Sequence, residues 1–297
     1  MHVDEVHTDA ALVRRLLERQ FPDWAALPIV PIEPTGTDNA LYRLGDDRVV
    51  RMPRIHWAAG GVEKEQRWLP KLAPSLPQPI PVPLAMGEPG EGYPWRWSVC
   101  RWLPGRDATR EPLDLAAAAL DLARFLRALR AIDASEGPPP GRHNAFRGVP
   151  LAVRDASTRR SLEQLGGALA GERAINAWRT ALEAPEWRHG GVWIHGDLYP
   201  ANLLGAQRRI SAVIDFGCVG VGDPACDMLV AWSLLDERTR PTFRDVLGVD
   251  LATWARGRGW ALSAAVNALA YYSDDTNPVL VASARRMLDQ VLSDGAH

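Results

Sequence analysis

The spacing of apolar residues divides this chain into an early part built from strands and a longer, helical remainder. Pro34 to Leu44 followed by Arg48 to Met52 reads as strand, Gly36-containing turn, strand, tight Gly45-Asp46-Asp47 turn and strand. Gly61 to Leu69 reads as a helix whose apolar face is marked by Val62 and Leu69. Glu65 stands three residues after Val62 and four before Leu69, which places it on that inward face, whereas Glu63 points away. Pro70 is expected to end or kink the helix near Leu69. After a Pro-rich connection from Pro74 to Pro83, Trp95 to Leu103 forms another strand and runs into Pro104-Gly105. Beyond it, Leu113 to Ile132 has Leu and Ala at three- and four-residue intervals, and Ala225 to Leu235 follows an Asp-Pro start suited to a first helical turn.

Composition sets the bounds. A length of 297 residues with 46% apolar content suits about two domains. A net charge of −2 provides no basic footprint for nucleic acid. The charge-free apolar stretch from Gly259 to Ser273 is too short to span a membrane, and Met1 to Glu5 carries acids where a leader peptide would be basic and apolar. Cys100, Cys218 and Cys226 show neither a pairing motif nor metal-ligand spacing. They read as free thiols of a reducing compartment, so a cytoplasmic location is expected. The seven histidines lack the ligand spacing of a zinc site.

Candidate chemistry is concentrated in Trp193 to Asn202 and Val213 to Gly217. Asn202 lies five residues after Asp197, and Asp215 eighteen after it. That is the order of catalytic Asp, metal-holding Asn and metal-holding Asp in phosphoryl transfer to a hydroxyl. A loose transition state with charge spread over the phosphoryl oxygens asks the protein mainly to position reactants and neutralise charge. Asp215 and Asn202 offer the hard oxygen ligands that suit Mg²⁺. An ordinary carboxylate, with a pKa of about 4, is a poor base for an alcohol, so Asp197 is left to orient the acceptor hydroxyl and take its proton late.

His195-Gly196-Asp197, Pro200 and Asn202, then Ile214-Asp215-Phe216-Gly217, then Gly222-Asp223-Pro224 and Asp227 resemble the aminoglycoside phosphotransferase family of small-molecule kinases. The resemblance implies an α+β, bilobal protein-kinase-like fold. Residues 1–104 would be a small nucleotide-binding lobe with an antiparallel sheet, a helix and the hinge, and residues 105–297 a larger, mainly helical catalytic and acceptor-binding lobe. It implies Mg²⁺ as cofactor, ATP or GTP as phosphate donor and a small-molecule acceptor, in a monomer or weak homodimer without nucleic-acid or membrane partners. Gly222-Asp223-Pro224 begins five positions after Gly217, which leaves no room for a phosphorylation-controlled activation loop. An enzyme active as folded is therefore expected.

The same resemblance distributes further roles. Gly36 and Thr37 fall in the nucleotide-covering hairpin, although a turn with one glycine fits an ordinary surface hairpin as well. Arg51 stands where the kinase strand carries Lys; it keeps the charge but replaces a point charge by a planar fork. Its expected partner is Glu65, and a solvated strand-edge charge and a surface glutamate are the plainer alternatives. The Arg101 C=O and Leu103 N–H would hold the adenine edge. His195 is expected to be a packed structural residue, and Asp227 to support the catalytic loop, with an exposed first-turn carboxylate as its alternative. Asp236 (with Glu237), Asp274 and Asp275 are acidic candidates for a cationic acceptor, and solvated loop charges otherwise. The loop Gly137-Pro138-Pro139-Pro140-Gly141 is a candidate edge of the acceptor cleft. An antibiotic, aminoglycoside or macrolide, is the first expectation for the acceptor. A metabolite such as choline, homoserine or a sugar is the alternative, and a nucleotide-binding module without catalysis is a second class.

Overall fold

The computed structural model describes residues 5–32 and 38–294. Gly36 and Thr37, the expected phosphate turn, lie outside the described residues. The chain separates into two compact units, 1–105 with 211–217, and 106–210 with 218–297.

In the first unit, α1 (Ala10–Gln20) starts on Asp9, whose side chain accepts from the Leu12 N–H, and the one-turn α2 (Pro22–Ala25) follows. Strands β1 (Ile29–Pro31), β2 (Asn39–Leu44), β3 (Arg48–Pro53), β4 (Pro83–Gly87) and β5 (Trp97–Arg101) form one antiparallel sheet in the order β1-β2-β3-β5-β4. Alternation along β2 turns Ala40, Tyr42 and Leu44 inward, where they meet Leu12, Val13, Leu16 and Leu17 of α1 with Val50, Met52 and Trp97. The opposite side of β3 carries Val49 and Arg51, paired in register with Cys100 and Ser98 of β5. Helix α3 (His56–Leu72) packs against β3, β4 and β5 with Val62, Glu65, Trp68 and Leu69 buried.

Two expectations are corrected here. α3 begins at His56, before Gly60-Gly61, and continues through Pro70 to Leu72. In its last turn the missing Pro70 N–H removes a single intrahelical bond, so the helix survives it. The Pro-rich connection also contains strand β4, where Pro83 leads an edge strand, the position at which proline costs no ladder hydrogen bond.

The second unit holds β6 (Arg106–Asp107), α4 (Leu115–Ala131), α5 (Asp155–Glu183), β7 (Val192–Ile194), β8 (Leu203–Ala206) and the start of β9 (Arg209–Val213). It continues with β10 (Gly220–Gly222), α6 (Val230–Ser233), α7 (Arg240–Leu247), α8 (Leu251–Tyr271) and α9 (Pro278–Ser293). Asp114 caps α4, and α5 leaves helical geometry at Gly166 and Gly171. The pairs α4 with α7, α5 with α8 and α8 with α9 pack together. Residues 224–235 do not form one α-helix as expected: Pro224–Leu229 is a 3₁₀ segment capped by Asp223, and only Val230–Ser233 is α-helical. No helix among the described residues is long and apolar enough to cross a membrane. An antiparallel sheet in the first unit and mainly helices in the second give the α+β class expected.

Candidate active site

In the first unit Arg51 of β3 is joined to Glu65 of α3 by a 2.6 Å ion pair, and both side chains are largely buried. Burial disfavours the guanidinium charge, but the Glu65 carboxylate, with Cys100 and Asp215 nearby, outweighs it and holds Arg51 firmly protonated. The spacing argument that turned Glu65 inward is met, and neither residue is a solvated charge.

Asp215 follows β9 with a backbone φ of +62°, in the left-handed region that non-glycine residues seldom occupy. Its Oδ1 accepts from the Gly217 N–H at 3.4 Å. One residue before Glu65, Lys64 donates from Nζ to the Gly217 carbonyl at 2.6 Å, so α3 grips the Asp-Phe-Gly turn directly. Arg51, Glu65, Ser98, Asp215 and Gly217 line one small cleft of this unit together with Asn39. At the end of β5 the Trp102 N–H donates to the Asp47 carbonyl and the Arg101 N–H to Val82. Arg101 is the last residue of β5, and Leu103, the other residue expected at the adenine edge, lies just beyond the strand.

In the second unit the loop after β7 carries the remaining motif. Asp227 is fully buried, and its two carboxylate oxygens accept from the backbone N–H of His195 at 2.9 Å and of Gly196 at 2.8 Å. Burial pushes the Asp227 carboxyl up, while His195 and these N–H groups pull it back. His195 is buried and its Nδ1 accepts from the Asp197 N–H at 3.2 Å. Gly196 takes φ +83°, and a Cβ there would stand 2.5 Å from the Cys218 carbonyl oxygen. Glycine alone fits this position without displacing its neighbours. Asn202 donates its amide to the Asp197 carbonyl at 2.8 Å and to Asp197 Oδ2 at 3.1 Å. Its amide oxygen is thereby turned away from Asp197.

Four arginines and lysines had no sequence signal. Besides Lys64, Arg147 donates to Asp197 Oδ1 at 3.3 Å, delivered by consecutive left-handed residues Ala145 and Phe146. Arg256 of α8 makes a buried, two-pronged pair with Asp223 at 2.9 and 3.2 Å, anchoring the segment that bears Asp227. Arg154 stands beside Arg147 around the Trp260 ring. Each partner is distant along the chain, so only the fold brings them together.

A cavity of about 490 Å³ in this unit is lined by Arg147, Arg154, Ser161, Tyr199, Asn267 and Tyr272, among others. The acids expected to meet an acceptor are not in its lining. Asp236 accepts from the Thr239 N–H and hydroxyl within its own turn, Asp274 is exposed and paired with Arg285 at 3.0 Å, and Asp275 is exposed. In the proline loop the Pro138 carbonyl accepts from the Val221 N–H, and Gly137 sits against Val221 and Trp193, which braces the β7/β10 pair.

A family model described as the phosphotransferase enzyme family matches residues 29–260. The chain belongs to this family. Solved structures of the same fold include the GDP complex of aminoglycoside 2'-phosphotransferase-IIIa, 20% identical, with a TM-score of 0.71 over 97% of this chain and 99% of that one. The macrolide 2'-phosphotransferase of Brachybacterium faecium, an apoenzyme, is 22% identical with a TM-score of 0.61 over 93% and 97%. An ADP-bound aminoglycoside phosphotransferase is 17% identical with a TM-score of 0.59 over 96% and 99%. No curated protein matches the sequence. Membership in the phosphotransferase family makes the chain an enzyme of the small-molecule kinase type.

Proposed function

We propose that this phosphotransferase moves the γ-phosphoryl group of ATP or GTP to a hydroxyl of a small molecule. The observation that carries the reading is the Asp197-Asn202 pair, in which one amide fixes the carboxylate and keeps its own oxygen for a cation. The donor chemistry fits Mg²⁺, which takes one or two protein oxygens and completes its shell with water and phosphate. Asp215 and the Asn202 amide oxygen would hold it, and when bound it would neutralise charge on the phosphate oxygens. Arg51, kept charged and aimed by Glu65, binds the donor phosphates, and the backbone of Arg101 and Leu103 holds the base.

Asp197 accepts the hydroxyl proton as the acceptor oxygen forms its bond to phosphorus and the bond to the β-phosphate oxygen breaks, releasing nucleoside diphosphate. Asp227 and His195 are positioning residues: they hold the backbone on which Asp197 sits. Three buried free thiols suit a cytoplasmic enzyme. A coupled ADP-release assay over aminoglycosides, macrolides, choline, homoserine and sugars tests the reading. Release that depends on both an acceptor and Asp197 is expected; absent release with intact nucleotide binding would leave only a binding module, and acceptor-independent release only a nucleotide hydrolase.

A further inference from the structure

Arg154 is a guanidinium short of counter-charge. Its Nε donates to Ser263 Oγ at 2.8 Å and its Cζ lies 4.7 Å from the centre of the Trp260 ring, yet among the described residues no carboxylate pairs with it. Desolvation and the neighbouring Arg147 lower its pKa to about 10. Arg147 has one ion pair, to Asp197 Oδ1, and its Nε is buried without a hydrogen-bond partner. Two guanidinium groups on one cavity wall repel each other, and with Asp197 engaged by Arg147 the Arg154 charge is left without an anion of its own, which is costly. The remaining polar lining described is neutral, with Ser161 donating to Asn267 at 2.7 Å and Tyr271 edge-on to Tyr272. Among the described residues no Asp or Glu lines the cavity.

We propose that this cavity binds the acceptor through an oxyanion, a carboxylate or phosphate, seated on Arg154 and Arg147. The planar fork of arginine matches either group with two parallel hydrogen bonds. Arg147 touches both the cavity and Asp197, and Tyr199 lies two residues beyond Asp197, so an anchored acceptor is held beside the proposed base. A polycation would add a third positive charge to the same wall. The assignment of the cavity to an acceptor rests on the phosphotransferase reading; its preference for an anion does not.

Titration calorimetry on the full chain uses matched probes: glycerate and glycerol 3-phosphate against glycerol, gluconate and glucose 6-phosphate against glucose, and kanamycin as polycation. At least one anion is expected to bind about 10-fold or more tightly than its neutral partner. Arg154→Gln should erase that preference, with folding checked by circular dichroism. Arg154→Lys, which keeps charge without the fork, should retain only part of it and serves if the first variant does not fold. A carboxylate and a phosphate arm that differ identify the source of the oxyanion. The proposal is overturned if no anion outbinds its neutral partner, if kanamycin binds more tightly than every anion, or if the preference survives in folded Arg154→Gln. ADP release measured on the same probes separates the two readings. Anion-selective binding without transfer would sink the phosphotransferase reading alone, and transfer to kanamycin or neutral sugars alone would sink only this one.

Discussion

Asp227→Ala is the most informative change outside the reacting groups, because its effect follows from two hydrogen bonds. The mutation leaves the buried N–H groups of His195 and Gly196 without acceptors. An unsatisfied buried donor costs about 1–3 kcal/mol, so two cost about 2–6. Burial already disfavours the carboxylate charge, and removing that charge returns part of the loss. A net destabilisation of about 2–4 kcal/mol is expected, a large share of the roughly 5–15 kcal/mol that holds a typical domain. At about 2 °C per kcal/mol for a chain of this size, Tm should fall by roughly 4–8 °C. Asp227→Asn keeps one acceptor oxygen and should lose about half as much. Thermal unfolding by circular dichroism reads the stability, and steady-state kinetics below the transition reads function. Because Asp227 acts on the loop that carries Asp197, kcat should fall while KM for ATP stays near wild type. Unchanged Tm in both variants, or a defect confined to KM for ATP, would refute the assigned role.

Arg51→Met should raise KM for ATP and lower kcat, and Arg51→Lys should recover only part; Glu65→Gln should add little to Arg51→Met, since the two act through one buried pair. Losses that sum in the double mutant would show independent roles. Gly196→Ala forces a Cβ against the Cys218 carbonyl at a left-handed φ and should cost more than the roughly 1–2 kcal/mol of the backbone strain alone, read as lost soluble yield or lowered Tm; wild-type stability would contradict the geometry. Asp215→Ala should abolish turnover and the Mg²⁺ dependence of nucleotide binding in calorimetry; an undiminished Mg²⁺ effect would place the metal elsewhere.

The parts legible in the sequence are those set by short separations. Asp197 and Asn202 are five residues apart and their contact is made within one loop. Glu65 was placed inward by helical spacing from Val62 and Leu69, and it is buried there. Contacts between distant segments left no such trace: Lys64 reaches Gly217 across 153 residues, and Arg147 reaches Asp197 across 50. Proline misled the boundaries in both directions, because its cost depends on whether the lost N–H belonged to a helix interior, a last turn or a sheet edge. The acids near the C-terminal end looked suited to a cationic acceptor, but Asp236 and Asp274 are engaged by Thr239 and Arg285.

The central claim is that Asp197 serves the acceptor while the cation and nucleotide are held by other groups. Calorimetry with Mg-ATP and turnover measured on the same preparation of Asp197→Asn test it most directly. Turnover should fall by about 10² to 10⁴, the scale of a positioned acid-base group, with Mg-ATP affinity nearly unchanged. A loss of affinity equal to the loss of rate would move Asp197 into the metal site and contradict the account.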